Sequence, residues 1–154
     1  MPLQGAGAPT WALTACAVIA LLWLGVLFGV SFLATPIKFT AQSLTLPTAL
    51  DVGRATFHLL VKVEWVAFAL LLGAVASARF PAAQLVVLVI LALSLAAQTF
   101  VLLPNLDGRV EAIIAGQEIG ESRLHLIYVG VEILKLLTLA AAAIVAFRIL
   151  RQAG

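Results

Sequence analysis

Charged side chains are scarce in this 154-residue chain, and their scarcity decides its class. Asp, Glu, Lys and Arg make up 10% of the residues, whereas hydrophobic residues make up 64%. A soluble domain carries roughly 25% charged residues, and a small globule cannot hide so much apolar surface from water. We therefore expect lipid to be the solvent around most of the chain.

The chain also lacks features that several other classes of protein require. Its single cysteine, Cys16, excludes an intrachain disulfide and a CxxC metal or redox motif. The net charge is only +2 and there is no basic run, so nothing indicates a nucleic-acid partner. The sequence contains no GxSxG, HExxH, Walker or dinucleotide-binding motif, and this pattern favours a protein that is not an enzyme.

Four long apolar runs account for most of the sequence, at residues 11–34, 59–78, 82–103 and 124–147. Each is close to the roughly 20 residues that cross a hydrocarbon core as a helix. In lipid such segments are helical because every backbone N–H and C=O group must be satisfied internally. The sequence therefore predicts an all-α, multi-pass membrane protein whose single domain is a bundle of four transmembrane helices in the lipid bilayer.

The connections between these runs differ in length. Arg79, Phe80 and Pro81 predict a tight connection between the second and third helices, which makes them antiparallel neighbours. The other two connections are longer and lie on the opposite side of the membrane. Within them, residues 49–58 are predicted as a helical lead-in to the second helix, and residues 106–115 as a short amphipathic helix.

Several residues of the first half recur in the second half. At one common register Ser31-Phe32 corresponds to Thr99-Phe100, Pro36 to Pro104 and Glu64 to Glu132, and His58 corresponds to His125 with a shift of one residue. The pattern indicates two similar helical hairpins in the same orientation, as in a parallel repeat. Chance similarity between apolar sequences is the alternative interpretation.

Basic residues near the helix ends indicate the orientation, because cytoplasmic loops carry an excess of Lys and Arg. Arg79, Arg148 and Arg151 lie on one side without an acidic residue, while the other side mixes basic and acidic residues. We expect both termini to be cytoplasmic and the membrane to be a bacterial inner membrane.

Four ionisable residues fall inside the apolar runs, where a central charge costs roughly 2.5–3.5 kcal/mol. Lys62 lies near the start of its run and can extend to the headgroups. Lys135 lies deeper and follows Glu132 by three residues, so the two side chains can meet on one helix face. One interpretation is a local ion pair that merely tolerates burial.

The other interpretation is a polar site shared by the second and fourth helices. Polar stripes in lipid normally face the bundle interior, where they handle protons, bind a cation or recognise a polar ligand. The candidate ligand- or ion-binding residues are His125, Tyr128, Glu132 and Lys135 on the fourth helix, with Glu64 and His58 on the second. This interpretation favours a non-enzymatic, transport-related, ligand-binding or accessory membrane protein that needs no cofactor.

Two further hypotheses stay open from the sequence. His58 and His125 lie at similar positions of two helices and could form the axial pair of a haem b, or a metal site with one glutamate, in a membrane redox protein. Alternatively the chain is a structural subunit of a larger membrane complex, with a membrane-protein partner or as a homo-oligomer.

A set of Gly, Phe and Pro residues in the first half carries a family resemblance. The residues are Trp23, Gly25, Gly29, Phe32, Pro36 and Phe39, followed by Gly53, Arg54 and Phe57. This pattern resembles a family of small membrane proteins of unknown function, which includes bacterial four-helix proteins and a eukaryotic transmembrane protein associated with drug resistance. The resemblance implies a four-helix fold, and it implies neither a reaction nor a catalytic residue.

Overall fold

The chain folds into four long helices that pack as one bundle, which confirms the predicted all-α architecture. The computed structural model describes residues 9–77, 82–120 and 122–153. The helices are α1 (Thr10–Thr40), α2 (Leu46–Ala76), α3 (82–114) and α4 (Leu124–Ala153). All four are long enough and apolar enough to cross a membrane.

The outer surface of the bundle is apolar. Large hydrophobic side chains on all four helices point outwards, and examples are Leu22, Leu70, Phe100 and Leu137. Soluble monomers rarely expose contiguous apolar surface of this kind, because water would drive such patches together. Hydrocarbon is the solvent that suits this exterior, as expected for a multi-pass membrane protein.

The core is built on the contact between the first and last helices. Among the helix pairs, α1 packs most extensively on α4. Small buried residues line this contact, with Ala17 and Ala20 on α1 and Ala142 and Ala146 on α4. Small side chains allow two helix backbones to approach closely, and this packing replaces the hydrophobic driving force that lipid cannot supply.

Enlarging a side chain in this interface destabilises the bundle. Ala146 is fully buried, so Ala146→Phe forces the helices apart and lowers the free energy of unfolding by about 1–3 kcal/mol. Ala141 lies on the exposed side of the same helix, and Ala141→Phe is the matched control. SDS titration of both variants checks this: equal stabilities would show that α1 and α4 do not pack closely at Ala146.

Pro36 and Pro104, which follow the ends of two apolar runs, lie within continuous helices. The runs were predicted to stop at Pro36 and near Pro104, but α1 continues to Thr40 and α3 continues to Ile114. In each case a π-helical turn precedes the proline, at Gly29–Ala34 and at Gln98–Leu102. A proline removes one backbone hydrogen bond and crowds the preceding turn, and the wider π turn accommodates it without ending the helix.

Both halves of the chain contain this combination of a π turn and a proline. Each half begins with a helix that contains a π turn followed by a proline, and each ends with a long, regular helix that carries one of the two buried glutamates. The recurrence of an uncommon backbone feature at matching places supports the predicted pair of similar hairpins.

The connections on one side are short because the helices extend into the segments between the apolar runs. Thr45 caps α2, and its hydroxyl accepts a hydrogen bond from the backbone N–H of Thr48 at 3.4 Å. The predicted lead-in at 49–58 is therefore confirmed as the first turns of α2. The predicted short helix at 106–115 is helical, but it is the continuous end of α3.

The end of α3 follows a standard capping arrangement. Gly116 has a φ of 73°, and Gln117 donates its backbone N–H to the carbonyl of Ala112 at 2.9 Å. This is the Schellman motif, in which a left-handed glycine satisfies the last carbonyl groups of a helix. The other predicted connection, at Arg79, Phe80 and Pro81, lies outside the described residues.

Candidate functional site

Three charged side chains meet in the centre of the bundle. Glu64, Glu132 and Lys135 are each at most 1% exposed. The ammonium group of Lys135 donates to Oε1 of Glu64 at 2.6 Å and to Oε1 of Glu132 at 3.3 Å. Buried charges persist in proteins when they are paired and hydrogen-bonded, and here one ammonium group bridges two carboxylates.

Helix periodicity explains how these residues meet. Glu132 and Lys135 are three residues apart on α4, which places both on one face. Glu64 comes from α2 and completes a bridge between helices that are far apart in sequence. The sequence indicated the pair within α4 and a polar site shared with the helix that carries Glu64, and the structure brings these three side chains together.

Two neutral side chains from the remaining helices complete the cluster. Trp23 on α1 donates its indole N–H to Oε1 of Glu64 at 2.9 Å. Gln98 on α3 donates its amide N–H to Oε1 of Glu132 at 2.7 Å. Each of the four helices therefore contributes a polar group to one site, which we call the central cluster: Trp23, Glu64, Gln98, Glu132 and Lys135.

Sequence reasoning missed Trp23 and Gln98 as members of the site. Gln98 places an amide within an apolar run, where an unpaired polar group is costly. This cost was the signal in the sequence that Gln98 has a polar partner inside the bundle. The indole N–H of Trp23 is a weaker indication, because tryptophan is common in membrane proteins for its apolar ring. Charge alone identified the other three residues.

Several polar atoms beside these contacts have no protein partner among the described residues. They are the second carboxylate oxygens, Oε2, of Glu64 and Glu132, the amide oxygen of Gln98 and the hydroxyl of Tyr128. A buried polar atom without a partner costs about 1–3 kcal/mol. A site that keeps such atoms together is suited to hold a proton or a bound molecule.

A cavity of about 610 Å³ leads from the cluster towards the end of the bundle where α1 joins α2. Glu132 and Tyr128, which we call the cavity floor, lie deepest, and His125 lies nearer the opening. The other lining residues come from α1, α2 and α4, and they are Ser31, Phe32, Thr35, Pro36, Phe39, Leu46, Leu50, Phe57 and Val129. The cavity thus has a mainly apolar wall and a polar end.

Packing fixes the orientation of the Tyr128 ring. The ring lies edge-on against Phe57, with centroids 5.0 Å apart, and is 1% exposed. Aromatic pairs prefer this geometry, which adds about 0.5–1.5 kcal/mol to their burial. The hydroxyl is therefore held at the cavity floor by the packing of its own ring.

The two histidines lie in different environments. His125 lines the large cavity and also a smaller one of about 110 Å³. His58 instead joins α2 to α3, with its Nε2 at 2.8 Å from Oδ2 of Asp107, and its side chain is 48% exposed. Beside it Arg54 pairs with Asp51 and with Glu111. Exposed ion pairs of this kind contribute about 0–1 kcal/mol each.

The six predicted site residues therefore divide into three groups. Glu64, Glu132 and Lys135 form the core of the central cluster, Tyr128 and His125 line the cavity, and His58 belongs to the contact between α2 and α3. Lys62, for which extension to the headgroups was expected, is exposed on the outside of α2.

The haem and metal hypotheses stay predictions. Within 9–77, 82–120 and 122–153 no three His, Cys, Asp or Glu side chains are grouped so as to hold a metal ion. Since His58 pairs with Asp107 and His125 faces the cavity, the described geometry supplies no observation that favours either hypothesis.

No family model, curated protein sequence or solved structure matches this chain. The family resemblance therefore rests on the Gly, Phe and Pro pattern of the first half alone. Function has to be inferred from the central cluster and its cavity.

Proposed function

We propose that this chain is a non-enzymatic membrane protein that binds a small amphipathic molecule inside its helix bundle. The apolar part of the molecule lies in the cavity, and its polar end contacts Glu132 and Tyr128. The observation that supports it most directly is the cavity floor, where two polar side chains that are each at most 1% exposed line a mainly apolar cavity.

The shape and chemistry of the cavity support this proposal. Sites for small molecules are concave, mostly apolar and roughly 300–1,000 Å³ in volume, with a few polar groups that orient the ligand. The cavity of about 610 Å³ has this composition. An apolar wall with a carboxyl group and a phenol at one end selects an amphipathic molecule over a fully polar one.

The purely structural interpretation explains less of the cluster. A neutral, buried ion pair requires one carboxylate for one ammonium group, and Glu64 already supplies that carboxylate to Lys135 at 2.6 Å. Glu132 adds a second buried carboxyl group whose other oxygen has no partner and which lines the cavity. A purely structural pair gains nothing from that addition.

The basic residues at the end of α4 give the proposal an orientation. Arg148 and Arg151 lie exposed on the last turns, away from the cavity. With these residues at the cytoplasmic surface of an inner membrane, both termini are cytoplasmic and the cavity opens towards the opposite side. The ligand then enters from the outer half of the bilayer or from the outer compartment.

Filling the cavity tests the proposal. Val129 lines the cavity, so Val129→Trp occupies it, whereas Leu126→Trp adds the same side chain on the exposed side of α4. We expect native mass spectrometry of the wild type, released from detergent, to show a small-molecule adduct. Val129→Trp lowers the affinity for the adduct about tenfold or more, a loss of about 1.4 kcal/mol in binding, so its occupancy falls, and Leu126→Trp leaves the occupancy unchanged.

Two results of that experiment contradict the proposal. Wild-type protein without any adduct would indicate that the cavity does not retain a ligand. Equal occupancy in both tryptophan variants would show that the adduct binds elsewhere, on the outer surface of the bundle.

A further inference from the structure

The charges of the central cluster do not sum to zero. Two carboxylates and one ammonium group give a formal charge of −1 when all three residues are ionised. The three side chains are at most 1% exposed, and an uncompensated charge in such a place costs several kcal/mol. The cluster therefore needs one further positive charge, which can be a proton or a bound cation.

Glu132 is the residue that takes up this charge. Glu64 and Glu132 each accept two hydrogen bonds, but Glu64 has the closer contact with the ammonium group of Lys135, at 2.6 Å, which stabilises it as the carboxylate. The contact between Glu132 and Lys135 is longer, at 3.3 Å. Both carboxyl groups keep an Oε2 without a partner among the described residues, but of the two only Glu132 lines the cavity, so its carboxyl group is the one that a cation in the cavity would approach.

The charged groups around Glu132 leave the cluster one positive charge short. The ionisable groups near Glu132 are Glu64 on α2 and three residues of its own helix, Lys135, Tyr128 and His125. Its neutral neighbours are Gln98 on α3, which donates to it, and Trp23 on α1, which donates to Glu64. Lys135 already bridges both carboxylates, so its charge is counted once. The remaining deficit is one unit.

We infer that the ligand of this cavity is a monovalent organic cation, which binds in exchange for one proton held by Glu132. The inference rests on the proposed function and specifies the class of its ligand. On binding, the O–H bond at Oε2 of Glu132 breaks, the proton passes to water at the cavity opening near His125, and the cation takes its place beside the carboxylate. The cluster is neutral before and after the exchange.

The residues that line the cavity indicate both the positive charge and the apolar character of the ligand. The aromatic side chains Phe32, Phe39 and Phe57 suit an apolar cation, because an aromatic face attracts positive charge. A small inorganic cation would leave the apolar wall without a partner. An organic anion would bring an uncompensated negative charge beside the neutral cluster, and the burial of the cluster makes such a charge costly.

Tetraphenylphosphonium is the probe for the first experiment, and tetraphenylborate is its control of similar size and opposite charge. The phosphonium ion cannot itself release a proton, so any proton that appears on binding comes from the protein. We expect purified wild-type protein in detergent to bind the cation at least about tenfold more tightly than the anion, a difference of about 1.4 kcal/mol. A pH indicator in weakly buffered solution then reports about one proton released for each cation bound.

The pH dependence has a fixed sign. Acid keeps the proton on Glu132 and opposes the cation, so affinity falls as the pH falls. For the exchange of one proton the affinity changes roughly tenfold for each pH unit while the site is protonated. Binding that is independent of pH, or that occurs without proton release, overturns the inference.

Glu132→Gln is the decisive variant. It leaves the neutral pair of Lys135 and Glu64 intact, so we expect the protein to fold. Cation affinity falls about tenfold or more, and proton release disappears. Glu118→Gln removes the same charge from an exposed position in the connection after α3 and is expected to behave as the wild type.

A second variant keeps the test informative if Glu132→Gln folds poorly. Tyr128→Phe removes the hydroxyl of the cavity floor but leaves the three charges in place, so binding weakens while about one proton is still released for each cation bound. Cation affinity and proton release that persist in folded Glu132→Gln overturn the inference.

The result with tetraphenylborate separates the two proposals. If anion and cation bind equally, the cavity binds apolar molecules regardless of charge, which overturns the inference and leaves the proposed function standing. If neither probe binds the wild type, the inference is overturned, and the adduct comparison between Val129→Trp and Leu126→Trp decides the proposed function separately.

Discussion

Lys135→Met lowers the free energy of unfolding by about 3–5 kcal/mol, the loss measured when one partner of a buried ion pair is removed. Methionine has nearly the shape of lysine, so the change removes the charge and leaves the packing. Glu64 then lies buried without an opposite charge, and it must be protonated, as Glu132 already is, for the protein to fold. SDS titration of the purified variants measures the loss.

Two companion variants make this prediction specific. Lys62→Met is the same substitution at an exposed position of α2 and changes the stability by less than about 0.5 kcal/mol. Adding Glu64→Gln and Glu132→Gln to Lys135→Met removes every charge of the cluster and recovers most of the stability, because the penalty arises from unpaired charge. If Lys135→Met were as stable as Lys62→Met, Lys135 would not be neutralising the carboxylate of Glu64.

Trp23→Phe has the second-largest expected effect on stability. It removes the indole N–H that donates to Glu64 at 2.9 Å and keeps most of the aromatic volume. A hydrogen bond to a charged group contributes about 1.5–3 kcal/mol, and we expect a loss of that size. A loss of this size would indicate that Glu64 is ionised, because a hydrogen bond from the indole N–H to a neutral carboxyl group contributes less free energy.

Trp65→Phe is the matched control for that prediction. Trp65 donates to the hydroxyl of Thr99 at 3.0 Å, between α2 and α3 and in a part-buried place. Neutral hydrogen bonds between membrane helices average about 0.6 kcal/mol. Equal losses for the two tryptophans, measured in the same SDS titration, would contradict an ionised Glu64.

The fold could be predicted from the sequence because its strongest determinant is local. Apolar runs of membrane-spanning length permit only helices in lipid, so the number and order of the helices followed directly. The ends of the helices were less predictable. Pro36 and Pro104 read as stops because a proline breaks an ordinary α-helix, and nothing in the sequence reveals that a π turn accommodates each of them.

The site could be predicted in part for a similar reason. Glu132 and Lys135 are neighbours on one helix, so spacing alone brought them together. Whether Glu64 faces them depends on how α2 is rotated against α4, which is decided by packing throughout the bundle. The cavity depends on the relative positions of three helices, and no pattern in one segment encodes its volume.

His58 shows how a correct helix assignment can still misplace a residue. It was predicted to join Glu64 in a polar site in the bundle interior, because polar stripes in lipid normally face that interior. In the structure it lies at the end of the bundle and contacts Asp107, because α3 extends beyond Pro104 and brings that carboxylate within reach. The unpredicted length of α3 therefore decided the partner of His58.

The packing of α1 against α4 also has a consequence for biosynthesis. Because α4 is synthesised after α1, α2 and α3, α1 finds its main partner only once α4 has been made, and the contact between them forms after the other three helices exist. Until then the small-residue face of α1, with Ala17 and Ala20, is open to lipid and to other nascent chains. The ammonium group of Lys135 enters the membrane with α4. Its insertion is favoured by the carboxylate of Glu64, which is on α2 and is inserted earlier. The helix that packs against α1 is therefore also the helix that brings the ammonium group to Glu64.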